Sequence, residues 1–159
     1  MMTMKILFVC TGNTCRSPLC EAIARKVAIE RGLTDVEVGS AGTSAWEGAP
    51  ASDGALLVGM EHGLDLSNHR AQLLSRDLVA ESDIVLAMGP HHLERVEALG
   101  GTTKGYTLTG YASHGKNERA ISDPVGAELT VYRATYTELE REIRRAFDRL
   151  TADRRSDAP

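Results

Sequence analysis

Short runs of β-formers alternate along this chain with stretches of helical periodicity, and that alternation constrains the fold more than any other feature. Residues 5–9, 37–40, 84–87 and 106–108 read as strands, and residues 18–31, 52–62, 91–99 and 129–150 as helices. Strands separated by helices pair in parallel, with the helices packed on both faces of the sheet. The expected fold is α/β: a single-domain three-layer sandwich around a central four-stranded parallel sheet. Leu129, Tyr132, Tyr136, Leu139, Ile143, Phe147 and Leu150 recur every three or four residues and form one apolar stripe, so these aromatics belong to the core. A chain of 159 residues holds one such core and too little for two ordinary domains, which places the domain over residues 1–152. Residues 153–159 are polar and lack a stripe, and a frayed tail is expected there.

In a parallel sheet of this kind, ligands bind beyond the carboxyl ends of the strands. The loop at that position after the apolar run Ile6-Leu7-Phe8-Val9 reads Cys10-Thr11-Gly12-Asn13-Thr14-Cys15-Arg16-Ser17. A loop with a cysteine at its start and an arginine at its end can wrap a tetrahedral oxyanion, with backbone N–H groups pointing inward and the planar guanidinium gripping two oxygens. Cys10 is then placed as a nucleophile beneath the central atom, and the inward amides, Arg16 and a following helix N-terminus favour its thiolate. Ser17 suits an N-cap, Pro18 the first helical position and Glu21 the first turn. Gly12 supplies backbone freedom, and Asn13 tolerates the left-handed region. A nucleotide-binding P-loop would need a glycine-lysine-serine/threonine ending, which is absent.

Composition removes several other classes. A net charge of −4 gives no support to nucleic-acid binding, and no segment approaches the roughly 20 apolar residues that span a bilayer. The three cysteines, Cys10, Cys15 and Cys20, lie in one strand-loop-helix unit and cannot staple distant segments, which fits a reducing compartment, and a cytoplasmic location is expected. His62, His91, His92 and His114 show no metal-ligand spacing, and adjacent side chains at 91 and 92 would diverge on a helix, so neither metal nor cofactor is expected.

Val9-Cys10-Thr11-Gly12-Asn13-Thr14-Cys15-Arg16-Ser17-Pro18, Ser40-Ala41-Gly42-Thr43, Asn68-His69-Arg70-Ala71 and Ser122-Asp123-Pro124 occur in order along the chain. With these four landmarks the sequence resembles the low-molecular-weight protein tyrosine phosphatase superfamily, which includes protein arginine phosphatases and thioredoxin-coupled arsenate reductases. The resemblance implies a phosphatase with a phosphocysteine intermediate, phosphorylated proteins as partners, inorganic phosphate as product and a monomer as the favoured state. It assigns Cys10, Arg16 and Asp123 to catalysis, with Asp123 as general acid, aimed by the extended geometry that Pro124 imposes on it. Thr11, Gly12, Asn13, Thr14, Cys15 and Trp46 would meet the substrate, while Ser17, Ser40 and His69 would support the loop around Asn13. Ser17 would also donate to the Cys10 thiolate. Taken alone, Asp123-Pro124 also reads as an ordinary turn, and His69 as a partly buried histidine.

Within that superfamily, Thr14 resembles the arginine phosphatases, where tyrosine-specific relatives usually carry an aliphatic residue, and Val125 stands where they typically place an aromatic. Both features favour phosphoarginine. Trp46 points the other way, as an aromatic able to flank a phosphotyrosine, and reads equally as a loop residue packed on the body. Phosphotyrosine is therefore the alternative substrate. Arsenate reduction would need a relay cysteine in the later half of the chain, yet none follows Cys20, and Ser82 stands near the relay position. A non-catalytic phosphoprotein binder would have no chemical need for nucleophile and acid together. Cys15 is a candidate redox partner that protects Cys10 by forming a disulfide, or else a silent packing residue.

Overall fold

The computed structural model describes residues 3–156; Met1, Met2 and residues 157–159 lie outside the described residues. Four parallel strands, β1 (Met4–Cys10), β2 (Val36–Gly42), β3 (Ile84–Ala87) and β4 (Gly105–Thr107), form one sheet in the order β2-β1-β3-β4. The helices are α1 (Arg16–Glu30), α2 (Asp53–Glu61), α3 (Arg76–Glu81), α4 (Pro90–Val96), α5 (Leu108–Ala112) and α6 (Leu129–Ser156). This is the three-layer α/β sandwich that the alternation predicts. Strand β1 sits centrally and is buried on both sides. Ile6 and Phe8 join α1 and α6 in the larger core, while Leu7 and Val9 face Val79 and Val96 in the smaller one. The side-chain period of two distributes one apolar run between two layers.

The stripe on α6 is buried as its spacing requires: Tyr132, Tyr136, Leu139, Ile143, Phe147 and Leu150 all lie in the larger core. The helix then runs on to Ser156, so 153–156 are helical where a frayed tail was expected. Arg149 pairs with Asp153 one turn on, and Arg154 pairs with Asp35 on the loop before β2. Charge pairing extends a helix beyond the end of its apolar face.

Two helices have no counterpart in the sequence reading. Helices α3 and α5 span six and five residues, too short for a helical period to show, and each starts at a side-chain cap. Ser75 Oγ accepts from Leu78 N, and Thr107 Oγ1 accepts from Gly110 N. No helix among the described residues is long and apolar enough to cross a membrane.

Candidate active site

Helix α1 starts at Arg16 with Cys15 in the cap position and no side-chain cap. Ser17 is therefore inside the first turn and is not the N-cap, and Glu21 lies beyond that turn. The Ser17 hydroxyl is occupied elsewhere, 2.9 Å from Cys10 Sγ. The uncapped N-terminus of α1 leaves its amides available to an anion.

Residues 10–15 curl so that the carbonyls of Cys10, Thr11, Asn13 and Thr14 pair with groups outside the loop. Cys10 O accepts from Thr43 N, Thr11 O from Ser44 N and Thr14 O from Ser52 N, at 2.9, 2.9 and 2.8 Å. Asn13 O accepts from His69 Nε2 at 2.7 Å, which puts that ring's proton on Nε2. The backbone N–H groups of Thr11 to Cys15 donate to no acceptor among the described residues. A loop with satisfied carbonyls outside and free amides inside is an anion nest.

Asn13, at φ 56°, supplies the left-handed residue, whereas Gly12 does not adopt positive φ. The glycine that the curl demands is Gly42, at the end of β2. A Cβ there would lie 2.4 Å from Thr11 O and 2.9 Å from Asn13 N. Asn13 is fully buried and its side chain faces away from the cavity into a directed network. Nδ2 donates to Ser17 Oγ and Ser40 Oγ at 2.8 and 2.9 Å, and Oδ1 accepts from Gln72 N at 2.9 Å. Ser40 Oγ then donates to Glu21 Oε1 at 2.7 Å. Because Ser17 Oγ accepts from Asn13, its own hydrogen can be donated to Cys10 Sγ at 2.9 Å, nearer than its other acceptor, Ala41 O at 3.5 Å.

A cavity of about 220 Å³ opens over this loop, lined by loop residues 10–16 other than Asn13 and by Asp123 and Val125. Arg16 is 5% exposed; its Nη1 donates to Ile121 O at 2.8 Å, and its Nη2 lies 3.5 Å from Asp123 Oδ2. Asp123 Oδ1 accepts from Val125 N at 3.0 Å, an Asx turn that orients the carboxylate while the side chain stays 45% exposed. The thiol of Cys15 is pushed up to about 12 by burial, then by Asp123 and Cys10, and is neutral at physiological pH. Trp46 is 84% exposed and does not line the cavity. His91 and His92 do not diverge: α4 starts at Pro90, and their rings meet at 3.8 Å between centroids.

The Cys10 thiol, the Arg16 guanidinium and the Asp123 side chain thus converge on one small cavity beneath a collar of free amides. The sequence family described as low molecular weight phosphotyrosine protein phosphatase matches residues 5–156. The chain belongs to this family. A protein-arginine-phosphatase of Bacillus subtilis (strain 168) is 38% identical over 156 residues, covering 96% of this chain and 100% of that relative. The low molecular weight protein-tyrosine-phosphatase Wzb of Escherichia coli (strain K12) is 35% identical over 152 residues, covering 96% and 99%. Among solved structures, the YwlE arginine phosphatase from Geobacillus stearothermophilus superposes with a TM-score of 0.88 at 35% identity, covering 98% of each chain. As a low molecular weight phosphatase, the protein is a protein phosphatase that acts on phosphoarginine or phosphotyrosine.

Sequence reasoning passed over Glu21, Gly42, Gln72 and His92 as parts of this site. Gly42 was within reach, since it stands in the Ser40-Ala41-Gly42-Thr43 landmark. For His92 the signal was Pro90, which starts a helix just beyond β3 on the edge of the sheet where ligands bind.

Proposed function

We propose that this phosphatase hydrolyses phosphoarginine in proteins by way of a phosphocysteine on Cys10. The Cys10 thiolate attacks phosphorus while Arg16 and the loop amides hold the phosphoryl oxygens. The P–N bond breaks as Asp123 gives its proton to the departing guanidino nitrogen. The Asp123 carboxylate then takes a proton from water, which attacks the phosphocysteine. The S–P bond breaks, inorganic phosphate leaves, and the Ser17 hydroxyl stabilises the returning thiolate. A cysteine-to-serine mutant of the related YwlE arginine phosphatase has been captured with a phosphorylated active-site serine, a covalent phosphoenzyme of the kind proposed for Cys10.

The observation that carries the choice of substrate is the cavity wall, which offers Thr14 and Val125 and no aromatic ring. A phenyl ring gains from aromatic or hydrocarbon walls, whereas a phosphoguanidinium presents N–H groups that a threonine hydroxyl or its bound water can accept. Trp46, the residue that favoured phosphotyrosine, is exposed and lies outside the cavity lining, which supports the same reading. Hydrolysis of matched phosphoarginine and phosphotyrosine peptides tests the reading. The expected result is a preference for phosphoarginine that shifts towards phosphotyrosine in Thr14→Ile; a wild-type preference for phosphotyrosine overturns it.

A further inference from the structure

His92 is fully buried on α4, and its ring meets the loop at one atom: Nε2 lies 2.8 Å from Thr11 Oγ1. The other nitrogen, Nδ1, is buried without a hydrogen-bond partner among the described residues. Burial, His91 and Arg16 together lower the pKa of the ring to about 4, so it is neutral at physiological pH and carries a single N–H. That proton has two possible positions. On Nδ1 it would be a buried donor with no acceptor, a rare and costly arrangement, whereas an idle lone pair on Nδ1 is more easily tolerated. The proton therefore sits on Nε2 and is donated to Thr11 Oγ1.

This polarity has a consequence on the far side of the hydroxyl. With one lone pair of Oγ1 taken by His92, the Thr11 hydrogen must point away from the ring, and Thr11 lines the cavity over Cys10. We propose that His92 is a positioning residue that fixes the Thr11 hydroxyl as a donor to an oxygen of the bound phosphoryl group. The loop thereby gains a side-chain donor already oriented before substrate arrives, beside its amides and Arg16. The proposal rests on the cavity being the phosphoryl site and adds to it a loop donor positioned from α4.

The test measures inorganic phosphate binding by calorimetry, alongside kcat and KM with para-nitrophenyl phosphate, for the wild type, Thr11→Val, His92→Leu, His92→Gln, His92→Asn and the Thr11→Val/His92→Leu double variant. A hydrogen bond to a charged group predicts that Thr11→Val and His92→Leu each weaken phosphate by roughly tenfold. The double variant should be no weaker than Thr11→Val alone, because His92 acts through Thr11. His92→Gln, whose amide reaches the place of Nε2, should keep most of the affinity, and the shorter His92→Asn should not. Additive losses in the double variant, unchanged phosphate binding in Thr11→Val, or equal behaviour of Gln and Asn would each overturn the proposal. If His92→Leu does not fold, as a thermal melt would show, the Thr11→Val result and the Gln/Asn contrast still decide. A wild type that binds phosphate yet turns over no phosphoester or phosphoramidate would count against the catalytic scheme and leave this readout intact; a wild type that binds no phosphate overturns both.

Discussion

Arg16 Nη1 donates to the carbonyl oxygen of Ile121 at 2.8 Å, so the cation at the head of α1 also anchors the segment that carries Asp123. Its Nη2 faces Asp123 Oδ2 at 3.5 Å. One planar fork joins the loop after β1 to the segment that carries Asp123, and a lysine ammonium cannot reproduce that geometry. Arg16→Lys should lower kcat/KM by about 100-fold or more, and limited proteolysis should cut faster between residues 117 and 126. Loss of activity without faster cleavage would show that the tether does not hold the loop.

Asp123 is held by its own Asx turn at Val125 N and is still half open to solvent, a placement suited to delivering a proton to a leaving group. Asp123→Ala should slow turnover by about 100- to 10,000-fold on basic leaving groups and far less on acidic phenols, which leave without help. A series of aryl phosphates of graded leaving-group acidity gives the slope, and a flat dependence in both wild type and variant would remove Asp123 from the role of acid.

At Gly42, β2 passes close against the loop that follows β1. A methyl group there would collide with Thr11 O at 2.4 Å, and Gly42 cannot retreat, since its N donates to Gln72 O and its O accepts from Leu74 N. Gly42→Ala should destabilise the fold by about 1–3 kcal/mol in urea unfolding and weaken phosphate binding by prising the loop open. Wild-type values for both would mean the contact relaxes without cost.

The strand positions, the place of the Cys10–Arg16 loop and the α6 stripe were legible because each leaves a local signature: an apolar run, a spaced Cys–Arg pair, a period of three to four. The order of strands and the network behind Asn13 were not. Ser40 and Gln72 meet Asn13 and each other, and Glu21 meets Ser40, only after β1 and β2 pair with Phe8 opposite Ser40, and no sequence spacing encodes a contact made by sheet register. Ser17 is the instructive case. Its local chemistry favours an N-cap, yet a buried thiol and the Asn13 amide claim its hydroxyl, so tertiary contacts overrode the propensity. The adjacent histidines show the same override: their rings stay together, with His92 buried against Thr11 and His91 exposed beside it.

Buried thiols next to a nucleophile invite a redox role, and we propose that Cys15 serves as one. With its thiol pushed up to about 12, Cys15 is not itself oxidised readily by peroxide at neutral pH. Peroxide would instead convert Cys10 to the sulfenic acid, and the Cys15 thiol would condense with it to give a disulfide and water. Peroxide inactivation of the wild type should then be reversed by dithiothreitol, and that of Cys15→Ala should become largely irreversible. Equal recovery of both enzymes would leave Cys15 a packing residue.

The depressed pKa of His92 also fixes the sign of a pH effect on stability. Above about pH 6.5 the ring is neutral in both folded and unfolded chains and contributes no pH dependence. As pH falls from there to about 4, the unfolded chain takes up a proton that the folded chain refuses, so stability declines; below about 4 both forms are protonated and the loss is complete. The loss amounts to at most about 3 kcal/mol. His92→Gln has no such proton to bind, so its unfolding free energy should fall less between pH 6.5 and 4 than that of the wild type. Parallel pH curves from urea denaturation would mean that water or a local opening already relieves the buried ring.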